Sequence, residues 1–237
     1  MASVASGVLR RQTWARAAGA GAAGLNPGPP PGLLGVGPDG RFPKMTAVAH
    51  GLWRPHLRPG GTALDMTAGN GHDTLHLAQA VGPAGTVFAF DLQAEAIAAT
   101  RRRLAEHLGA RHLAEGVELR QGCHSQLVEA VVEAVGPGAC DLVAFNLGYL
   151  PGQSRDLQGA GRTRAETTAA ALRKCLPAVR PGGLVSVMAY VGHAGGRREY
   201  EAASEVLAAL PASEWASSEL SLLNRAEAPR LLLGYRT

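Results

Sequence analysis

Within residues 65–93, DMTAGNGHDTLHLAQAVGPAGTVFAFDLQ, two glycines two apart (Gly69, Gly71) precede Asp73 and Thr74, and a further acid, Asp91, closes an apolar run. Glycines let a backbone turn tightly and approach a ligand closely. An acid ending the next strand of an open α/β sheet is placed to accept hydrogen bonds from both hydroxyls of a ribose. Asp65, just ahead of the loop, adds a carboxylate. This is the chemistry of a nucleoside cofactor, and charge selects which one. The dinucleotide fingerprint wants a third glycine where this chain has Thr74, and a pyrophosphate at the helix start would meet Asp73. A sulfonium carrying an ammonium group tolerates these carboxylates, so S-adenosylmethionine is expected ahead of NAD. Its binding set is Asp65, Gly69, Asn70, Gly71, Asp73, Thr74, Asp91 and Gln93. For Asp73 there is a structural alternative, a helix cap whose charge suits the N-terminus.

Three other stretches carry polar groups at positions where strands should end. QGCHSQL (121–127) supplies Cys123 and His124 where an adenine would lie. FNLGYLPG (145–152) supplies Asn146 and Tyr149: a side-chain carbonyl can hold an amine beside a methyl donor while an aromatic ring packs on a base. YVGHAGG (190–196) places His193 on the same rim. Asn146, Tyr149 and His193 are the candidate catalytic residues, and Asn146 also borders the cofactor. Read structurally, Asn146 would end a strand in a turn and Tyr149 would be core.

These groups need a scaffold that gathers strand ends. TALDM (62–66), TVFAFD (86–91), VELR (117–120), CDLVAFN (140–146) and LVSVMAY (184–190) alternate with helical stretches, the pattern of parallel βαβ units in a doubly wound sheet. One helix carries Ile97, Leu104 and Leu108 on one face, and a second carries Leu127, Val128, Val131, Val132 and Val135. A third opens at the capping-box spacing Thr163-x-x-Glu166, with Ala165, Ala169, Leu172, Leu176 and Val179 on one face, and a fourth has Tyr200, Ala203, Leu207 and Leu210. ELSLLN (219–224) and RLLLGYR (230–236), joined by RAEAP, read as a closing antiparallel hairpin. The expected fold is α/β, Rossmann-like, with the C-terminal hairpin on a mostly parallel sheet.

The chain has 237 residues, 46% hydrophobic and 18% charged, enough for one substantial core. No apolar run approaches the roughly 18 residues of a membrane span. Cys123, Cys140 and Cys175 lie far apart with no CxxC pair, which indicates neither a disulfide framework nor a metal site. Residues 1–44 hold five basic residues against Asp39 alone, so the net charge of +4 belongs to this leader, and 18 basic residues balance 18 acidic ones beyond it. The leader bears Ala and Arg, then dissolves into a Pro/Gly stretch at 26–40 that cannot hold a helix. It reads as a transit peptide, its few Ser and Thr residues favouring the mitochondrial matrix over a plastid, ahead of a domain at 45–237. The alternative is a low-complexity terminus without an address.

DMTAGNGHDT, FAFDLQ, QGCHSQL, FNLGYLP, AETT, PGGL and YVGHAGGRREYE occur in this order and resemble the bacterial YtqB/MnmM-type rRNA methylase family over about residues 46–237. That family is associated with methylation of the aminomethyl group of 5-aminomethyl-2-thiouridine at the tRNA wobble position. The resemblance implies a seven-stranded class I S-adenosylmethionine-dependent methyltransferase, without a metal, acting on tRNA or rRNA. Self-association is left open. The chain departs from the bacterial pattern after NLGYLP, where GQSRDLQGAGRTR replaces a shorter lysine-bearing turn, at Asn224-Arg225 where relatives have Asn-Gln, and at AP where they have two prolines. Arg155, Arg162, Arg164, Arg197 and Arg198 follow the fourth and fifth strands and form a candidate phosphate-binding rim. A small-molecule methyltransferase and a catalytically silent RNA-binding scaffold are the two rival readings.

Overall fold

The computed structural model describes residues 42–148 and 163–237. Seven strands, β1 (Thr62–Asp65), β2 (Thr86–Asp91), β3 (Val117–Gln121), β4 (Cys140–Asn146), β5 (Val179–Ala189), β6 (Trp215–Leu220) and β7 (Arg230–Arg236), form one sheet in the order β3-β2-β1-β4-β5-β7-β6. β1 to β5 pair in parallel, and β7 runs antiparallel to both β5 and β6. The helices are α1 (Met45–Trp53), α2 (His72–Val81), α3 (Ala94–His107), α4 (Ala110–Gly116), α5 (His124–Val135), α6 (Ala165–Cys175) and α7 (Gly196–Ala208).

Successive strand residues point to opposite faces of the sheet, and because both faces are covered the central strands are buried almost throughout. Leu64, Phe88, Phe90, Val143, Phe145 and Val187 face a cluster completed by α5, α6 and α7 through Val128, Val131, Leu172, Ala203 and Leu207. Ala63, Val87, Leu142, Ala144, Leu184 and Leu231 face the opposite cluster, completed by Val48 and Trp53 of α1 and Leu77 and Val81 of α2. α3 packs beside α2, burying Ala96, Thr100 and Leu104.

Three local expectations are corrected. The first strand of the closing hairpin is WASSEL at 215–220, not 219–224. Ser217, Ser218 and Glu219 are exposed there, so this edge strand is held by its ladder to β7 and leaves little hydrophobic trace, whereas Leu223 lies fully exposed beyond it. The fifth strand starts at Val179, five residues early, with its Pro-Gly-Gly segment in an irregularity of the β4 register, so Val179 is not a helical residue. Thr163 does not cap α6. Arg164 occupies the N-cap, and the Thr163 hydroxyl accepts the Gly148 N–H at 3.0 Å instead. Beyond these, α1 and the short α4 were not foreshadowed by any long apolar period.

The parallel register aligns Asp65 with Ala144, Asp91 with Gln121, and Asn146 with Met188. All these strand ends therefore meet at one edge of the sheet, which is where ligands sit in open α/β folds.

Candidate active site

The loop between β1 and α2 is built from two left-handed glycines, Gly69 at φ 54° and Gly71 at φ 79°. A Cβ at Gly71 would lie 2.8 Å from the Thr100 Cα, so both the backbone angle and the close approach of α3 require glycine. α3 locks the loop from the side: the Thr100 hydroxyl donates to the Gly69 carbonyl at 3.0 Å and the Arg103 Nε to the Asn70 carbonyl at 2.7 Å. Asp91 locks its other edge by accepting the Gly69 N–H at 2.8 Å and the Gln93 N–H at 3.0 Å.

Two adjoining cavities open at this edge. The smaller, about 100 Å³, is lined by Gly69, Asp91, Gln93, Cys123, His124 and Asn146, together with Met66, Thr67, Gly148 and Thr167. The larger, about 550 Å³, is lined by Gly69, Asn70, Asp73, Asn146 and His193, together with Lys44, His50, His72 and Tyr190. Thr67, Gly69, Asn146 and Gly148 belong to both, so the loop and the β4 end form their common wall.

The smaller cavity has the donor and acceptor set of a nucleoside site. His124 Nδ1 lies 3.0 Å from the Met66 carbonyl; a carbonyl only accepts, so Nδ1 carries the proton and Nε2 is an acceptor. That Nε2 is buried, and the ring also interacts with the Thr167 backbone. Burial also keeps this imidazole neutral by lowering its pKa. Cys123 Sγ contacts Ser125 Oγ at 3.1 Å. With Asp91 at the opposite wall and the loop backbone between, the residues fit a nucleoside cofactor.

The larger cavity is organised by Asp73. Its carboxylate does not cap α2, whose N-cap is Gly71. One oxygen lies 2.6 Å from His50 Nε2, and the other accepts the Asn146 side-chain N–H at 2.9 Å. Burial pushes the Asp73 pKa up, but the bond and charge of His50 and the Asn146 amide outweigh it, and the carboxyl sits below its usual range. Because a carboxylate only accepts, the Asn146 amide is oriented with its NH₂ on Asp73 and its carbonyl turned elsewhere. The Asn146 backbone N–H donates to the Thr67 hydroxyl at 2.7 Å, fixing the residue at its root.

Not every expected residue reaches a cavity wall. Asp65 is buried beneath the loop, where it accepts the Thr74 hydroxyl and, at 3.1 Å, the Thr67 N–H. Burial, reinforced by Asp73, pushes its pKa up to about 7. Thr74 is fully buried on this bond, so the pair supports the loop from below. Gly71 shapes the loop without lining either cavity. Arg164 sits exposed at the start of α6, and Arg197 and Arg198 are exposed in the first turn of α7. Tyr149, Arg155 and Arg162 fall outside the described residues.

Sequence reasoning missed His50, Lys44, Thr67 and Tyr190 on the walls, and Thr100 and Arg103 behind the loop. The GNGHDT loop points to its own residues, but α1 and α3 reach it only through the tertiary packing. Thr67 lay within the quoted motif and could have been named for its hydroxyl.

Comparison with known proteins agrees with this geometry. Residues 87–236 match the family model described as "Putative rRNA methylase". The chain is 38% identical over 198 residues to the Arabidopsis thaliana "tRNA (mnm(5)s(2)U34)-methyltransferase, chloroplastic", covering 81% of this chain and 69% of that protein. Among solved structures, a "putative rRNA-methylase" from Clostridium thermocellum superposes with TM-score 0.71 at 30% identity, covering 82% of this chain and 98% of the other. A Streptococcus mutans methyltransferase in complex with SAH gives TM-score 0.67 at 26% identity over 82% and 99% of the two chains. The two cavities thus open at the strand edge of a chain that belongs to the rRNA methylase family of class I S-adenosylmethionine-dependent methyltransferases.

Proposed function

We propose that this protein methylates the nitrogen of a 5-aminomethyl group on a wobble uridine of organellar tRNA. The observation that carries this reading is the Asp73–Asn146 pair on the wall of the larger cavity, directly beside the nucleoside cavity. A carboxylate and an amide carbonyl suit a basic amine, and 550 Å³ accommodates a nucleobase. The name of the Arabidopsis relative supports the same substrate.

S-adenosylmethionine held by Gly69, Asp91, Gln93, Cys123 and His124 supplies an electrophilic methyl group. Bound there, it would supply the methyl group to the amine nitrogen and leave as the thioether, and one proton would be lost from the nitrogen overall. The protein contributes mainly by proximity and orientation. The Asn146 carbonyl accepts an amine hydrogen and His193 lies on the same wall. Tyr149 is assigned to stacking on the base, because a phenol with an ordinary pKa of about 10 is a poor base near neutrality. Arg164, Arg197 and Arg198, joined by Arg155 and Arg162, hold the phosphates of the RNA.

Tritiated methyl transfer to total tRNA, rRNA and a metabolite extract tests this reading. Label in tRNA alone is expected; label confined to rRNA or to a metabolite would overturn it, and no S-adenosylmethionine binding would indicate a scaffold. Asp91→Ala is expected to weaken S-adenosylmethionine binding by about 1.5–3 kcal/mol, the range for hydrogen bonds to a charged group. Calorimetric titration with unchanged affinity would remove Asp91 from the site.

Residues 1–44 are proposed as the organellar address, mitochondrial by composition. Fused to a fluorescent reporter, they are expected to concentrate it in mitochondria. A plastid signal would keep the organelle and overturn the mitochondrion, and a diffuse cytosolic signal would overturn both.

A further inference from the structure

The larger cavity contains a proton-handling pair that the reaction needs and that the mechanism above leaves unused. An aliphatic amine is largely an ammonium ion at neutral pH and has no lone pair to give, so a methylase acting on it needs a group to take a proton. Asn146 cannot do this: its carbonyl orients an N–H but does not accept a proton near neutrality.

His50 stands in the right place. It projects from α1, 23 residues before Asp73, and its side chain is about a quarter exposed on the cavity wall. Its Nε2 lies 2.6 Å from Asp73 Oδ1, so in the neutral ring Nε2 carries the hydrogen and Nδ1 the lone pair. An imidazole held by a carboxylate on one nitrogen is fixed in tautomer and orientation, with its other nitrogen free to accept a proton. The ring is also clamped: it stacks on His76 with centroids 4.1 Å apart and planes at 12°, and tilts against Trp53 at 4.9 Å. His76 does not compete for the proton, since burial and His50 itself push its pKa down to about 4. Around the pair stand His72 and His76 of α2, Arg103 of α3 beside His72, Asn146 of β4, Lys44 before α1, and Tyr190 and His193 after β5. Asp73 is the carboxylate on this wall, which draws an ammonium group toward His50.

We propose that His50, oriented by Asp73, is the general base that deprotonates the substrate's ammonium group. The proton moves from nitrogen to His50, the freed lone pair attacks the methyl group as the C–S bond breaks, and the resulting secondary ammonium keeps its two remaining hydrogens. His50, about a quarter exposed, then returns its proton to solvent. This assignment rests on the reading of the substrate as an aliphatic amine.

The test is single-turnover methyl transfer to tRNA carrying 5-aminomethyluridine, followed from about pH 6.5 to 10 for wild type, His50→Ala and His50→Gln, with cofactor affinity measured in parallel. Near pH 7 both variants are expected to lose about 10²-fold in rate, the usual contribution of a general base, with S-adenosylmethionine affinity nearly unchanged. The deficit should shrink toward about pH 10, where solvent deprotonates an alkylamine unaided, and added imidazole should partly restore His50→Ala. Should His50→Ala fail to fold, His50→Gln carries the comparison, because its amide can still donate to Asp73. Wild-type rates in the variants, or a deficit equal at every pH, would overturn the base. Failure of the wild-type enzyme itself on this tRNA would overturn the amine reading, and the base with it.

Discussion

Asn146→Ala is expected to lower the single-turnover rate of methyl transfer about 10²-fold, equivalent to about 2.7 kcal/mol of transition-state stabilisation, while cofactor affinity stays close to wild type. The separation follows from how the residue is held. Its backbone N–H to the Thr67 hydroxyl survives the substitution, so the end of β4 and the wall shared by the two cavities keep their positions. The carbonyl proposed to orient the amine is lost, and so is the NH₂ that pins one oxygen of Asp73. A loss confined to turnover is the signature of an interaction made in the transition state. Wild-type turnover in this variant would remove the β4 end from the catalytic centre.

At the opposite end of the strands, Asp141→Ala is expected to destabilise the fold by about 3–5 kcal/mol, the cost of breaking a buried ion pair from one side. Asp141 is fully buried and gathers the Arg58 backbone N–H at 3.0 Å, the Arg58 Nε at 2.7 Å and the Arg180 Nε at 2.5 Å. Arg58 is more than half exposed and can rehydrate, but the Arg180 side chain is only 17% exposed and would lose its counter-charge, keeping only hydrogen bonds to the Pro181 and His56 carbonyls. The site is shaped for this carboxylate: a Cβ at Gly61 would fall 1.8 Å from its Oδ2. At about 2–4 °C per kcal/mol for a domain of this size, the fall in Tm should be about 6–20 °C. A change within about 2 °C by thermal circular dichroism would show that the cluster is solvated in practice. Because the cluster joins the segment after α1 to β4 and β5, away from the cavities, folded variant protein should retain cofactor affinity.

These two residues differ in how far the sequence announced them. Asn146 ends an apolar run inside NLGY and is conspicuous as a polar group at a strand end. Asp141 sits in an equally apolar run, yet nothing local distinguishes a buried acid with two arginine partners from an exposed one, since Arg58 and Arg180 are 83 and 39 residues away. His50 is the same case at the site itself. Its partner Asp73 was singled out, but only for a cofactor or a cap, because α1 is a nine-residue helix whose place over the cavity depends on packing of Val48 and Trp53 against the sheet.

By itself the sequence determined the α/β class, the five parallel strands, the reversed final strand and the glycine loop between β1 and α2. Those features are written in short-range patterns: short apolar runs, glycines that need positive φ, and polar residues where apolar runs stop. The tertiary structure alone decided that Asp65 and Thr74 lie beneath the loop as its support, that Thr100 and Arg103 fasten it from α3, and that Asp73 faces His50 and Asn146. It also decided where β6 begins, since an exposed edge strand is specified by hydrogen bonds to its neighbour and not by burial. The physical reason is common to all of them: a side chain's partner is set by which elements pack together, and that packing depends on the whole hydrophobic core, not on the residues flanking the side chain.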